Sequence, residues 1–258
     1  LERDGVRVLL GHKAIEARPG EPHLLVVEHD GAQTELPFDL LLVAVGRTAN
    51  VDGFGLETLG IPLRRNRTIE TDDYLRTKFP NILALGDVAG PFQLTHAGAH
   101  QAWYAAVNAL FGGLKSFRAD YRVLPAATFT DPELARVGIN EREAEAQGIA
   151  VEVIVHPFSE LDRAIAEGAT EGFVKVLVPP GKDTILGATI VGARAGDLIA
   201  IFALAMKQNI GLDKILGTVF AYPTFAEAAK FAAGVRRKRH KPERVLSWLQ
   251  RYHDWNRQ

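Results

Sequence analysis

Asn81–Ala102, NILALGDVAGPFQLTHAGAHQA, decides how the rest of the chain is read. Ile82, Leu83, Ala84 and Leu85 predict a short buried strand that ends in Gly86-Asp87. A Gly/Pro loop follows, and Thr95 is expected to N-cap an Ala-rich helix. A carboxylate at the C-terminal end of a buried strand faces a crevice, the usual ligand position in open α/β sheets. The helix behind it aims free N–H groups and a partial positive charge at whatever lies in front. Ala97, Gly98, Ala99, Ala102, Ala105 and Ala106 keep that helix thin enough to pack closely on a sheet or a flat ligand. On spacing alone, an Asp87 that fixes a turn and an Asp87 that meets a ligand are equally supported.

The flanks decide between them. Thr77-Lys78-Phe79-Pro80-Asn81 before the strand and Thr95-His96 after the loop complete a pattern. It resembles the second flavin-binding motif of the pyridine nucleotide-disulfide oxidoreductases, the family of dihydrolipoamide dehydrogenase, glutathione reductase and mercuric reductase. The resemblance implies that Gly86 and Asp87 meet the ribityl chain of FAD. It also implies that the backbone at Thr95, His96 and Ala97 stabilises negative charge at one edge of the flavin. That charge develops as a hydride reduces the ring, which suits a helix N-terminus.

Toward the N-terminus, Val6–Leu10, Leu24–Glu28 and Leu40–Val45 read as strands, with turns at Pro19-Gly20-Glu21 and Asp30-Gly31. Asp39 followed by LLLVAVGR resembles the family's exit strand from the NAD(P) domain, and Gly46, Arg47 and Asn50 match its GR-x-x-N pattern. No G-x-G-x-x-G follows a strand here, so the resemblance puts both dinucleotide fingerprints before Leu1. A start at Leu1 rather than Met fits a fragment.

Toward the C-terminus a second unit is expected from Leu124. Ala126–Thr130, Ala135–Ile139, Val151–His156, Gly172–Val178 and Ile185–Val191 read as strands. Asn140 and Glu143 form an N-cap and N3 pair, and Asp197–Gln208 is an apolar-striped helix. Strands gathered beside helices imply an α+β unit. FTDPELARVG, LDRAIAEG, GFVKVLV, ILGATIVG and AYPTFAEAAKFAA fall here in the order of the family's dimerisation domain. The resemblance covers about residues 1–235, roughly the C-terminal half of such an enzyme.

The expected class is therefore α+β. An antiparallel sheet flanked by helices forms a dimerisation domain at 124–235. The terminal parts of NAD(P)-binding (1–46) and FAD-binding (47–118) α/β domains precede it, and a basic amphipathic tail (236–258) follows. The resemblance implies a homodimer using FAD and NAD(P)H, in which hydride passes from NAD(P)H through FAD to an acceptor. A non-catalytic dimerisation or scaffold module with a vestigial flavin loop is the alternative.

The family's His-Pro-Thr-x-x-Glu motif, which supplies a general base, here reads Tyr222-Pro223-Thr224-Phe225-Ala226-Glu227. Tyrosine titrates near ~10 and is a weak base at neutral pH but a good donor. Mercuric reductases also carry tyrosine there, so the resemblance makes Tyr222 and Glu227 the candidate catalytic residues of a mercuric-reductase-like branch, or of one whose electron acceptor needs no histidine base. By the same resemblance the Tyr222–Pro223 bond is expected to be cis. The alternative reading of the same residues is an interface aromatic at Tyr222 and a surface residue of the next helix at Glu227.

Composition narrows the chemistry. The chain holds no cysteine, so no thiol–disulfide exchange or thiolate ligation occurs within it. Thirty Lys+Arg against 31 Asp+Glu in 258 residues point to neither nucleic acid nor an acidic substrate. No signal peptide and no apolar run of membrane-spanning length is visible, which reads as cytoplasmic. No metal site is expected. Arg236–Lys241 is a basic run, followed by a helix with Val245, Trp248, Leu249, Tyr252 and Trp255 near one face. Such a tail could bind a membrane surface. A solvated run and a helix docked on the body is the favoured reading.

Overall fold

The computed structural model describes all residues but Pro242 and Gln258, and all side chains of those but Arg3, Glu243, Arg244 and Val245. The first unit opens on an antiparallel meander, β1 (Lys13–Arg18), β2 (His23–His29) and β3 (Ala32–Phe38), in spatial order β1-β2-β3. Asp30 (φ 49°) and Gly31 (φ 79°) form the two-residue turn between β2 and β3, in the left-handed conformation such hairpins need. Only Val26 and Val27 of the meander are buried.

Two expected strands are absent. Val6–Leu10 and Leu40–Val45 have no strand partner among the described residues and no ladder hydrogen bonds. Leu42 is 89 % and Val45 87 % exposed. An apolar run becomes a strand only when neighbouring backbone satisfies its N–H and C=O groups. The short strand expected at Ile82–Leu85 is likewise reduced to one bridge, Arg76 with Leu83. Conversely β1, rich in charge, and β3, mostly exposed, carry no apolar alternation to signal them.

α1 (Leu56–Leu59) and α2 (Thr95–Phe111) complete the first unit. α2 ends at the C-cap Gly112, where Gly112-Gly113 interrupts the Ala-rich run. Its N-cap is Leu94 rather than Thr95, so Thr95 is the first helical residue and its hydroxyl caps nothing. The cores here are small: one around Ala49, Val51, Ile61, Ile69, Ala84 and Ala89, another around Leu75, Tyr104 and Ala105.

The second unit is built on one five-stranded antiparallel sheet. Its elements are β4 (Ala126–Thr128), β5 (Leu134–Gly138), α3 (Glu141–Ala146), β6 (Glu152–Pro157), α4 (Asp162–Glu167), β7 (Phe173–Val178) and β8 (Gly187–Val191). Then follow α5 (Ala195–Lys207), α6 (Leu212–Leu216), α7 (Glu227–Arg239) and α8 (Glu243–Asn256). The spatial order is β4-β5-β8-β7-β6. Register aligns two buried rows across it: Ala135, Ile190, Val174 and His156, then Val137, Ala188, Val176 and Ile154. α5 and α7 pack on the sheet and share one continuous core with these rows. Successive strand residues alternate faces. The opposite face thus carries Arg136, Thr189, Lys175 and Val155, with α3 held over it by Arg136–Glu143 and Lys175–Glu141 ion pairs at 2.6 Å each.

Two glycines fix strand approach in this sheet. A Cβ on Gly172 (φ 122°) would lie 1.9 Å from the Val191 carbonyl oxygen, and one on Gly187 would lie 2.0 Å from that of Ile139. The capping box at Asn140 and Glu143 forms as expected, with reciprocal 2.9 Å hydrogen bonds.

The tail departs from the expectation. α7 runs through most of the basic run to Arg239, and Arg236 is buried, donating to the Lys182 carbonyl and to Asp213. α8 is not docked: Leu246, Trp248, Leu249, Tyr252 and Trp255 are all exposed, while Phe202 of α5 and Ala228, Ala229, Ala232 and Ala233 of α7 close the core beneath those helices. The side chain of Val245, placed on the same face by its spacing, lies outside the described residues.

Candidate functional site

The loop from Gly86 to Leu94 and the first turn of α2 come together as the sequence predicts. Gly86–Val88 forms a single 3-10 turn, with Gly86 at φ 75°, a conformation that favours glycine. A Cβ on Gly98 of α2 would lie 3.4 Å from the Gly86 Cα, so the absence of two side chains lets helix and loop touch. Ala97 is fully buried in this contact.

Gln101, which sequence reasoning missed, holds the arrangement. Fully buried, it accepts from the Gly86 amide and donates to the Gly90 carbonyl at 2.7 Å and to the Tyr121 hydroxyl at 2.8 Å. Its signal was periodicity: Ala97, Gln101, Ala105 and Asn108 fall on one helical stripe. Asn108 does similar work lower down, bonding both the N–H (2.7 Å) and the carbonyl (2.8 Å) of Phe117. Arg64 donates to the Ala89 carbonyl at 2.7 Å and to that of Ile69 at 2.8 Å, fixing the far side of the turn.

The Asp87 side chain is half-exposed. Arg47, of the GR-x-x-N segment, donates to the Gln93 carbonyl at 2.9 Å and stands 3.6 Å from the Asp87 carboxylate. Thr95 is exposed at the helix start, and the first amides of α2 have no acceptor within the helix. A carboxylate acceptor and a cluster of backbone donors are thus presented on one ridge. His96 is turned the other way: its Nε2 bonds the Pro125 carbonyl at 2.7 Å, tying α2 to the linker. With His100 it lines a cavity of about 390 Å³ against Val123–Ala127, Phe129, Gly196 and Ile199.

Tyr222 and Glu227 lie in the second unit. The Tyr222–Pro223 bond is cis, as expected. Tyr222 is exposed and its hydroxyl donates to Asp162 at 2.9 Å, not to Glu227. That hydrogen bond and the Asp162 charge raise the phenol above its ordinary value, so it remains a neutral donor at neutral pH. Glu227 is buried rather than a surface residue, and accepts from the Thr224 amide at 3.2 Å at the start of α7. It orders the turn that carries Tyr222. No hydrogen bond or ion pair among the described residues joins this turn to the Gly86–Ala97 ridge.

Fold and site define a class: α+β proteins in which a carboxylate turn and an adjoining helix N-terminus precede an antiparallel sheet backed by helices. Two family models match the chain. One, "Pyridine nucleotide-disulphide oxidoreductase", covers residues 1–107, and the other, that family's dimerisation domain, covers 124–233. The chain belongs to the pyridine nucleotide-disulphide oxidoreductase family. Among curated relatives it is 37 % identical to the dihydrolipoyl dehydrogenase of Geobacillus stearothermophilus, over 91 % of this chain and 50 % of that protein. It is 36 % identical to that of Chlamydia muridarum, over 87 % of this chain and 47 % of that protein. Among solved structures, LpdA from Mycobacterium tuberculosis aligns with a TM-score of 0.80 at 29 % identity, covering 90 % of this chain and 50 % of that one. The HOCl-induced flavoprotein disulfide reductase RclA from Escherichia coli aligns with 0.77 at 26 %, covering 91 % and 53 %. The chain thus spans about half the length of the curated relatives it matches.

Proposed function

We propose that the chain works as part of a FAD- and NAD(P)H-dependent oxidoreductase, supplying one edge of the flavin site and a dimerisation domain. The observation that carries this reading is the packing of the Asp87 turn on the start of α2, Gly86 against Gly98, held by Gln101 and Arg64. Those residues fit the flavin end of FAD. Asp87 accepts hydrogen bonds from ribityl hydroxyls, and the amides at Thr95–Ala97 with the helix dipole favour negative charge at the ring edge. The flavin, when bound, supplies the hydride and electron chemistry. The chain's own part is to bind, orient and stabilise charge.

In this reading residues 1–46 and 47–118 belong to NAD(P)- and FAD-binding domains and 124–235 to the dimerisation domain. Tyr222, a neutral donor, acts as an acid or a hydrogen-bond donor to the acceptor rather than as a base, in a mercuric-reductase-like branch. The longer protein that includes this chain should be yellow and oxidise NAD(P)H. Its Asp87→Ala variant should bind FAD at least about tenfold more weakly, the scale of losing a charge-assisted hydrogen-bond acceptor. A colourless protein inert to NAD(P)H would sink the proposal.

The 258-residue chain alone should release FAD on gel filtration. It offers only ribityl and flavin-edge contacts, too few to offset the cost of ordering so large a ligand. Stoichiometric yellow protein would contradict that. A two-fold homodimer through 124–235 is supported by exposed apolar side chains there, Phe129, Leu204, Val219 and Tyr222 among them. Light scattering at micromolar concentration should give twice the chain mass, and a monodisperse monomer would refute it.

A further inference from the structure

We propose that the C-terminal helix α8, with the exposed part of the basic run before it, is a docking element for an anionic lipid surface. The observations concern charge, side-chain type and exposure, and none depends on the flavin site.

Residues 236–258 hold eight Lys and Arg and two Asp and Glu, a net +6; the chain totals −1, so residues 1–235 carry −7. A near-neutral chain is therefore asymmetric along its sequence, with an excess of positive charge in its last 23 residues. Part of the basic run is tied to the body. Arg236 is buried on Asp213, Arg239 donates to the Val153 carbonyl, and His240 bonds Glu152 at 2.7 Å. Arg237 and Lys238 are exposed between those anchors and Lys241 beyond them, as are Arg251 of α8 and Arg257 just after it. The anchoring contacts fix where the tail leaves the body, and the five cations just named stay exposed to solvent.

α8 supplies the apolar half of the device. At about 100° per residue, Trp248, Tyr252 and Trp255 fall within roughly 60° of arc, with Leu249 beside them. Trp248 is 63 % and Trp255 72 % exposed, and the Trp248 and Tyr252 rings stack at 5.9 Å. By the same spacing Arg251 sits at one edge of this stripe and Asp254 further round, away from it. Trp and Tyr with a flanking Arg suit the headgroup boundary, where the rings enter and the cation reaches phosphate. The helix is too short and too polar to cross a bilayer, and no helix among the described residues is long and apolar enough to do so. It is suited to lie in the interface plane. The acidic body would be repelled by the same surface, so the chain would meet it tail first.

The test is flotation of the full chain with vesicles of phosphatidylcholine alone and of phosphatidylcholine with roughly 30 mol % phosphatidylglycerol, an anionic content of the kind that attracts polybasic segments. The partition coefficient should be at least tenfold higher on the anionic vesicles. It should fall at least fivefold as salt rises from about 0.05 to 0.5 M. Arg237→Glu with Lys238→Glu and Lys241→Glu should lower it about tenfold, and so should Trp248→Ser with Trp255→Ser. All five positions are exposed, so the circular dichroism of both variants should match the parent. The salt series on the unaltered chain is an arm that needs no variant. Equal partition on the two vesicles would overturn the proposal. So would binding that duplex DNA displaces at equimolar phosphate, or a self-associated species in which the Trp248/Trp255 variant alone becomes monomeric while vesicle binding is unchanged.

Discussion

The two units of this chain bury apolar residues to very different degrees. In the second, the sheet rows through Ile190 and Ala188 meet α5 and α7 in one core of residues mostly under 5 % exposed. In the first, apolar residues are plentiful but spread over small clusters, and Leu40–Val45 lies in solvent. Both sequences carry strand-like runs. The difference is that ILGATIVG and GFVKVLV find each other as β8 and β7, whereas LLLVAV finds no neighbour among the described residues. An apolar run specifies a strand only jointly with its partners.

The largest expected effect breaks this comparison directly. Phe202→Ala removes a fully buried ring from the core of the second unit and should cost about 3–5 kcal/mol. Leu42→Ala in the exposed run should stay within about 0.5 kcal/mol. Urea denaturation followed by circular dichroism reads both. A comparable loss at the two positions would mean that Leu40–Val45 is buried in solution.

The same contrast explains what was legible in the sequence. In the second unit the five strands, α3 and α5 could be read, because their apolar runs are bounded by Gly and Pro turns and the Asn140/Glu143 box is local chemistry, whereas α4 was not legible as a helix and α7 had no legible bounds. α2 and the loop before it were legible for similar reasons, although Thr95 proved not to be the cap. What escaped was non-local. β1 and β3 are polar strands whose existence rests on pairing with β2. Gln101 looked like one polar residue in an Ala-rich helix until its three partners, 11 to 20 residues away, were visible. Burial of Glu227 and exposure of α8 likewise depend on what other elements already cover.

A second expected effect tests whether the first unit has its own organising centre despite its small cores. Gln101→Ala leaves the Gly86 amide, the Gly90 carbonyl and the Tyr121 hydroxyl without their partner, at about 2–3 kcal/mol of local stability. Hydrogen exchange at Gly86–Gly90 should accelerate by one to two orders of magnitude, while β7 and β8 amides stay protected. If protection were lost equally in both units, they would be one cooperative block rather than two.

A smaller effect lies on the outer face of the second unit. Asn140→Ala removes the side-chain half of the capping box and should cost about 1 kcal/mol. The pH dependence of the parent has a definite sign. The hydrogen bond from Arg136, then that from the Asn140 amide, holds the Glu143 carboxyl below its ordinary value. A carboxyl depressed in the folded state binds fewer protons there than in the unfolded chain. Its contribution is therefore present above the ordinary carboxylate range, near ~4.3, and lost as pH falls through it toward the folded value. Both side chains are over a third exposed, so solvent screening keeps this contribution small. Glu143→Gln should flatten that part of the acid unfolding curve, and an unchanged curve would remove Glu143 from the account.

The smallest stability effect is expected at Tyr222, and its smallness is what makes it informative. The side chain is exposed and makes one hydrogen bond, to an equally accessible Asp162. Tyr222→Phe should therefore change the stability of the second unit by no more than about 0.5 kcal/mol, as for most surface substitutions. Within the core of that unit, such an exposed aromatic has no packing role to lose. If the residue serves a site completed by a second subunit, the longer protein carrying Tyr222→Phe should keep its flavin and its NAD(P)H-driven flavin reduction while turnover with the physiological acceptor falls. A neutral phenol held by Asp162 acts as donor, so turnover should be lost on removing the hydroxyl but show no titration near neutral pH in the parent. Unchanged turnover with unchanged stability would reduce Tyr222 to an interface aromatic. A fall in flavin content would instead tie it to the cofactor, against the separation of the Tyr222 turn from the Gly86–Ala97 ridge.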